Sequence, residues 1–289
     1  MVYYIQSVEP TLNPVLRQSF LILMYLSIAF LVCAYIFRLV EGFWVEYINP
    51  KPFFRHFYIY KRTLSKSQKN KLKNKFSFYT KLSNKDKRIF EHRVSKFLKQ
   101  HYFESRQDEE ITETKKILIA ATAIMLTFGY RNYTINTVEG FIIYPGAFYS
   151  RTNKTYHKGE FNLGLKIIVL SWKDFLEGYD ISNDNFNLGI HEFVHAMHLE
   201  FIKTRTTNIS AAIFINAFNE LRAFLDSNAV YKEKLIASRY IRDYGYTNQF
   251  EFAAVIVESF IETPEKFKQQ FPEMYGYVKQ MLNFNFSNY

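Results

Sequence analysis

Apolar and polar positions divide this chain into one long apolar run, a basic polar stretch, and then segments of helical or extended periodicity. From Phe20 to Phe37 no charged side chain occurs, and Val15 to Val40 carries only Arg17 and Arg38 near its ends. A helix of about 20 apolar residues crosses a bilayer, so residues 15–40 are predicted as a transmembrane anchor behind a short N-terminal segment, residues 1–14. Trp44 and Tyr47 lie just beyond, where aromatics favour the interface. A cleaved signal peptide is the rival reading. Against it, the run is long, its basic leading region is weak and no small-x-small site follows.

Past the anchor, Lys81–Gln100 and Glu110–Phe128 carry helical periodicity, strands fall between Val138 and Trp172, and helices fill most of the remainder. Arg151 to Glu160, polar and bracketed by aromatics, reads as an exposed loop. The expected architecture is α+β, mainly helical with a small sheet, over residues 81–289, joined to the anchor by a basic juxtamembrane linker, 41–80. Lys166–Ser171 and Gly140–Tyr144 read as strands, either buried in the core or at a sheet edge.

Charge adds an orientation. Between Lys51 and Arg88 stand thirteen Lys or Arg and one acid, Asp86, whereas Arg17 is the only basic side chain before the apolar run. The positive-inside rule then places a single-pass protein in the inner (cytoplasmic) membrane of a bacterium with its C-terminal domain in the cytoplasm. One cysteine in 289 residues excludes a disulfide framework. The basic stretch dominates the net charge of +10. Next to an anchor it reads as attraction to anionic headgroups, and no nucleic-acid module accompanies it, so no nucleic-acid partner is expected.

The chemistry is concentrated at His191-Glu192-Phe193-Val194-His195. On a helix, two histidines four apart lie one above the other, so both imidazoles reach one metal while Glu192 stands beside a bound water. Asn183, Asp184 or Asn187 would cap that helix. A catalytic zinc takes a third protein ligand. Glu200, Glu220, Glu251 and Glu258 are the downstream candidates. Glu251 leads, because it opens the apolar run Phe252–Val257 and a carboxylate there needs a partner to offset desolvation; Glu258 follows, two turns on along the same face.

Several blocks occur in an order that matches a known family. They are Ile117–Ala121 with Leu126–Gly129, Ile143-Tyr144-Pro145, Val169–Trp172, Asn187–His195, Tyr244–Ala254, Pro264 and Phe271–Tyr275. By them the chain resembles, from about Lys81 to Tyr289, the Mlc titration factor A family of zinc peptidases, whose site is similar to that of the protease domain of anthrax lethal factor. The resemblance implies a zincin-like fold with one Zn2+ per chain held by His191, His195 and Glu251. It also implies Glu192 as general base and Tyr244, seven residues before Glu251, as an aid to the substrate carbonyl. Two positions depart from the pattern. His198 stands where many members carry an aspartate and is expected at the surface, and Ala253 replaces the second aromatic of Glu-Phe-Phe-Ala.

These readings predict a membrane-anchored zinc metallopeptidase acting on peptides or protein tails. The family's name records capture of a repressor, so the alternative is a binding protein that sequesters a transcription regulator or membrane partner, with the metal site structural or regulatory. The aromatic, Asn-rich tail Phe271–Tyr289 is a candidate cover for the site.

Overall fold

The computed structural model describes residues 13–150, 154–180 and 186–286. Its first element, α1 (Pro14–Tyr47), starts at Asn13, whose side chain caps Val15, and runs past the predicted anchor. It is long and apolar enough to cross a membrane, and its most apolar stretch is not buried by any other part of the described residues.

The far end of α1 is docked. Glu41, almost fully buried, takes a bidentate ion pair from Arg131 (3.0 and 2.6 Å) and accepts the Phe53 amide. Arg38 donates to the Thr207 carbonyl at 2.8 Å, and Glu46 is held by Arg205 and Asn216. Leaving Glu41 buried without Arg131 would strand a charge, at a cost of roughly 3–5 kcal/mol.

The stretch expected as a linker is folded from Leu64 onward. α2 (Lys66–Lys75) opens with a capping box between Ser65 and Gln68 and buries only Leu72, and α3 (Ser77–Lys81) adds Phe78 and Tyr79 to the core. A single buried position on a Lys-rich helix leaves no periodic signal, which is why the segment reads as solvated. Before it, the strap 48–64 is held by Arg93 of α4 (Asn84–Gln100). That guanidinium is fully buried, donates to Tyr58 Oη and to the carbonyls of Thr127, Phe128 and Tyr130, and lies 4.1 Å from the Tyr133 ring.

β1 (Tyr102–Ser105), unpredicted, is followed by α5 (Glu113–Leu126), a helix buried along nearly its whole length. Then come β2 (Gly140–Tyr144), a small hairpin of β3 (Phe148–Ser150) and β4 (Thr155–His157), β5 (Gly159–Asn162) and β6 (Ile167–Ser171). The main sheet has the order β1-β2-β6-β5, with β5 antiparallel to β6 and the other pairs parallel. β2 and β6, for which core and edge positions were both open, are therefore interior. The edges are β1 and β5, and β5 begins within the segment read as a loop; of that segment, residues 151–153 lie outside the described residues.

α6 (Trp172–Asp180) leads to α7 (Leu188–Thr204), α8 (Ile209–Ser227) and α9 (Ala229–Ala237). A 3-10 turn (Asp243–Tyr246), α10 (Gln249–Glu262), α11 (Pro264–Gln270) and α12 (Pro272–Met281) complete the chain. α10 packs against α7, with Phe252 to Phe260 all buried. Each large side chain so buried contributes about 1.5–3 kcal/mol. Phe271, Met274, Tyr275, Val278, Met281, Leu282 and Phe284 are core residues, so the tail expected as a cover is packed into the core as far as the described residues run; residues 287–289 lie outside them.

Candidate metal centre

α7 begins where Asn187 makes it begin. Its Oδ1 accepts from the Ile190 amide, its Nδ2 donates to the Gly178 carbonyl, and its own amide donates to Glu258 Oε2 of α10. The other two proposed caps, Asn183 and Asp184, lie outside the described residues. One turn on, His191 and His195 present their rings 4.6 Å apart and nearly perpendicular. Glu251, in the first turn of α10, completes a group whose ligand atoms all lie within 4.8 Å of one another. Its Oε2 is 2.9 Å from His191 Nε2 and its Oε1 3.4 Å from His195 Nε2. Glu200 and Glu220 fall elsewhere: Glu200 accepts from Asn136 and Glu220 from Gln280.

The donors fit a divalent cation. Bonds of about 2.0–2.1 Å in a tetrahedral site put donor atoms ~3.3 Å apart, near the separations found. Glu251 Oε2 is buried and makes no well-aligned hydrogen bond, although an imidazole nitrogen stands beside it. The field also asks for positive charge. Burial opposes protonation of His191, but Glu251, Glu258 and Glu192 raise its pKa to about 10. Glu251 itself, against the effect of its burial, is held far below the usual carboxylate range by His191 and His195. Two imidazoles and one carboxylate are a donor set suited to zinc.

Glu258 is not a ligand to this point. Fully buried, it accepts from His191 Nδ1 at 2.5 Å and from Arg242 Nη2 at 3.0 and 2.9 Å. It orients His191 from behind, with Arg242 balancing its charge.

Glu192 stands between the cluster and the sheet edge. It is buried, and burial pushes its pKa up against the pull of His191 and His195; the Phe161 amide of β5 donates to it. β5 approaches α7 closely enough that a Cβ at Gly159 would sit 2.5 Å from Glu192 Oε1 and 2.6 Å from Leu188 Cδ1. Only glycine permits that approach. Gly159, Phe161 and Arg242 escaped the sequence reading; Gly159 before an alternating Glu-Phe-Asn was the available signal.

Tyr244, in the 3-10 turn, is 56% exposed, with its ring 6.2 Å from that of His191. Burial of the hydroxyl and the neighbouring Glu251 and Glu192 push its pKa up to about 12, so it stays a donor at neutral pH. His198, expected at the surface, is instead 2% exposed among Phe214, Phe218 and Phe250, because its face of α7 turns toward α8. Its Nδ1 has no hydrogen-bond partner among the described residues.

Two imidazoles and a carboxylate on one helix, met by a carboxylate from a second, form the layout of a metal-dependent hydrolase. The sequence profile of the glucose-regulated metallopeptidase family M90 matches residues 53–283, and the chain belongs to that family, which is that of Mlc titration factor A. The match begins well before Lys81, in keeping with the core positions from Leu64 onward. An uncharacterised protein of Synechocystis sp. (strain ATCC 27184 / PCC 6803 / Kazusa) is 22% identical over 229 residues, which cover 72% of this chain and 80% of that protein.

Proposed function

We propose that this metallopeptidase is a zinc enzyme, anchored in the cytoplasmic membrane by α1 with its catalytic domain in the cytoplasm, that hydrolyses peptide bonds of peptides or protein tails. The convergence of His191, His195 and Glu251 with Glu192 alongside supports the reading more than any other observation. Held by those three ligands, zinc would acidify a water and polarise the scissile carbonyl.

The remaining work belongs to side chains of this chain. Glu192, its carboxylate made more basic by burial, takes the proton of the attacking water and passes it to the leaving amine. Tyr244 donates its hydroxyl to the oxygen on which negative charge develops. Glu258 holds His191 in the tautomer that presents Nε2. The free edge of β5, beside Glu192, takes the substrate as an added strand through main-chain hydrogen bonds.

Metal content and peptide hydrolysis of the full chain in neutral detergent test this, comparing the parent with Glu192→Gln and Glu251→Ala. One zinc per chain, hydrolysis lost in both variants and metal weakened chiefly in the second is the expected pattern. Zinc without hydrolysis of any library peptide in the parent would shift the function to binding. Alkaline extraction of membranes tests the span, and protease protection of intact cells tests the orientation.

A further inference from the structure

Behind the docked end of α1 lies a second site that the peptidase chemistry does not use. The strap 48–64 and the first two turns of α4 enclose an open pocket of about 670 Å³, lined among others by Arg55, His56, Lys61, Lys85 and Arg88. No carboxylate lines it, and none of its four Lys and Arg residues forms an ion pair among the described residues. Arg55 Nη1 is buried with no hydrogen-bond partner among the described residues, its guanidinium 5.8 Å from the Phe286 ring. The buried Arg93 adds a further positive charge from beneath, compensated only by carbonyls, a hydroxyl and His56 Nδ1 at 2.9 Å. His56 registers this field: burial, then Arg93, Arg55 and Lys85, push its pKa down to about 3. A concentration of unpaired cations around an open pocket, with one buried donor unused among the described residues, is a site for an anion with several acceptor oxygens.

The pocket's surroundings say which anion. Phe53 and Phe54 rest on Phe37, the last residue of the charge-free run, at ring separations of 5.7 and 6.3 Å. Arg55 is the next residue, so the pocket opens within about 8 Å of chain from that contact. The strap beside it displays apolar side chains to solvent: Phe57 is 76% exposed, Ile59 95% and Tyr60 77%. Aromatic and aliphatic tips interleaved with Lys and Arg are suited to the headgroup zone of a bilayer and poorly suited to water.

We infer that the strap lies on the membrane surface and that the Arg55, Lys61, Lys85 and Arg88 pocket binds the phosphate of an anionic phospholipid headgroup. This rests on α1 spanning the bilayer, and it gives the basic segment a defined binding site beyond diffuse attraction.

Native mass spectrometry of the full chain in neutral detergent, with phosphatidylglycerol or phosphatidylcholine added in dilute form, tests it. The parent should retain phosphatidylglycerol about tenfold better than phosphatidylcholine, millimolar inorganic phosphate should not displace it, and Lys85→Gln/Arg88→Gln and Arg55→Gln should each remove the preference. Because Lys85 and Arg88 are exposed, the double variant keeps the fold, and its zinc content reports on that independently. Equal retention of both lipids, or an unchanged preference in the variants, would overturn the site. Displacement by inorganic phosphate would assign the pocket to a free anion and overturn the lipid. Alkaline extraction of parent membranes tests the span separately, so failure of either reading is visible without the other.

Discussion

Glu258 Oε1 lies 2.5 Å from His191 Nδ1, on the side of the ring away from Glu251. The imidazole is therefore held between two carboxylates, one positioned to share its metal and one to fix its tautomer. Glu258→Gln keeps the shape of the buried side chain while removing its charge. The expected result is metal affinity weakened about 10- to 100-fold, measured by competition with a chelator. An affinity equal to the parent's would reduce Glu258 to a structural partner of Arg242.

Gly159→Ala places a methyl where Glu192 Oε1 and Leu188 Cδ1 already stand. Glu192 must move or β5 must retreat, and either change separates the general base from its working position. Turnover should fall by at least about tenfold, part of the roughly 10²- to 10⁴-fold that a positioned acid–base group supplies, while zinc content stays at one per chain. Full activity in this variant would mean that β5 yields without disturbing Glu192.

Tyr244→Phe removes a hydroxyl from a largely exposed ring and leaves the cluster intact. Loss of a single oxyanion donor costs roughly 10²- to 10³-fold in kcat, with KM and metal content little changed. A variant that changes KM alone would place Tyr244 in substrate binding.

His198 makes stability depend on acid. Burial, with His195 and Arg222 nearby, lowers its pKa to about 4, below the ordinary value of 6.5. A histidine kept neutral by the fold contributes stability that is fully present above pH 6.5 and is lost as the pH falls towards 4. The loss approaches something on the order of 3 kcal/mol at the acid end. His198→Leu should flatten that limb: the drop in thermal midpoint from pH 7 to pH 4.5, followed in neutral detergent, should be smaller than in the parent. An unchanged drop would assign the acid sensitivity to another buried histidine, such as His92, whose pKa burial also lowers.

What was legible in the sequence follows from how local each signal is. The metal helix was plain, because two histidines four apart and a flanking glutamate are one helical face written out. Its place at the head of an apolar run put Glu251 ahead of Glu258, Glu200 and Glu220, and the family resemblance was needed to choose it. β5 was missed because Gly159–Asn162 is a short strand whose identity comes from pairing with Ile167–Leu170, a relation no window along the chain contains. Glu258 was weighed as a ligand because two turns put it on the right face; that Arg242 would turn it toward Nδ1 of His191 depends on a turn that packs against α10. His198 was taken for a surface residue because its three phenylalanine neighbours come from two other helices.

The docking of α1 has a metric consequence. α7 carries both histidines of the cluster, and the turn that follows it ends at Thr207, whose carbonyl accepts from Arg38 at the end of the apolar run. From His195 to Thr204 is about 13 Å of helix, so with the turn beyond it the cluster stands within roughly 20 Å of Arg38. If α1 spans the bilayer as proposed, that length is a ruler. An extended chain advances about 3.3 Å per residue, so a tail leaving the same membrane needs only about six free residues to reach the cleft. Search for such a tail is confined to two dimensions, and proximity in the plane of the membrane would select substrates before any side chain is read.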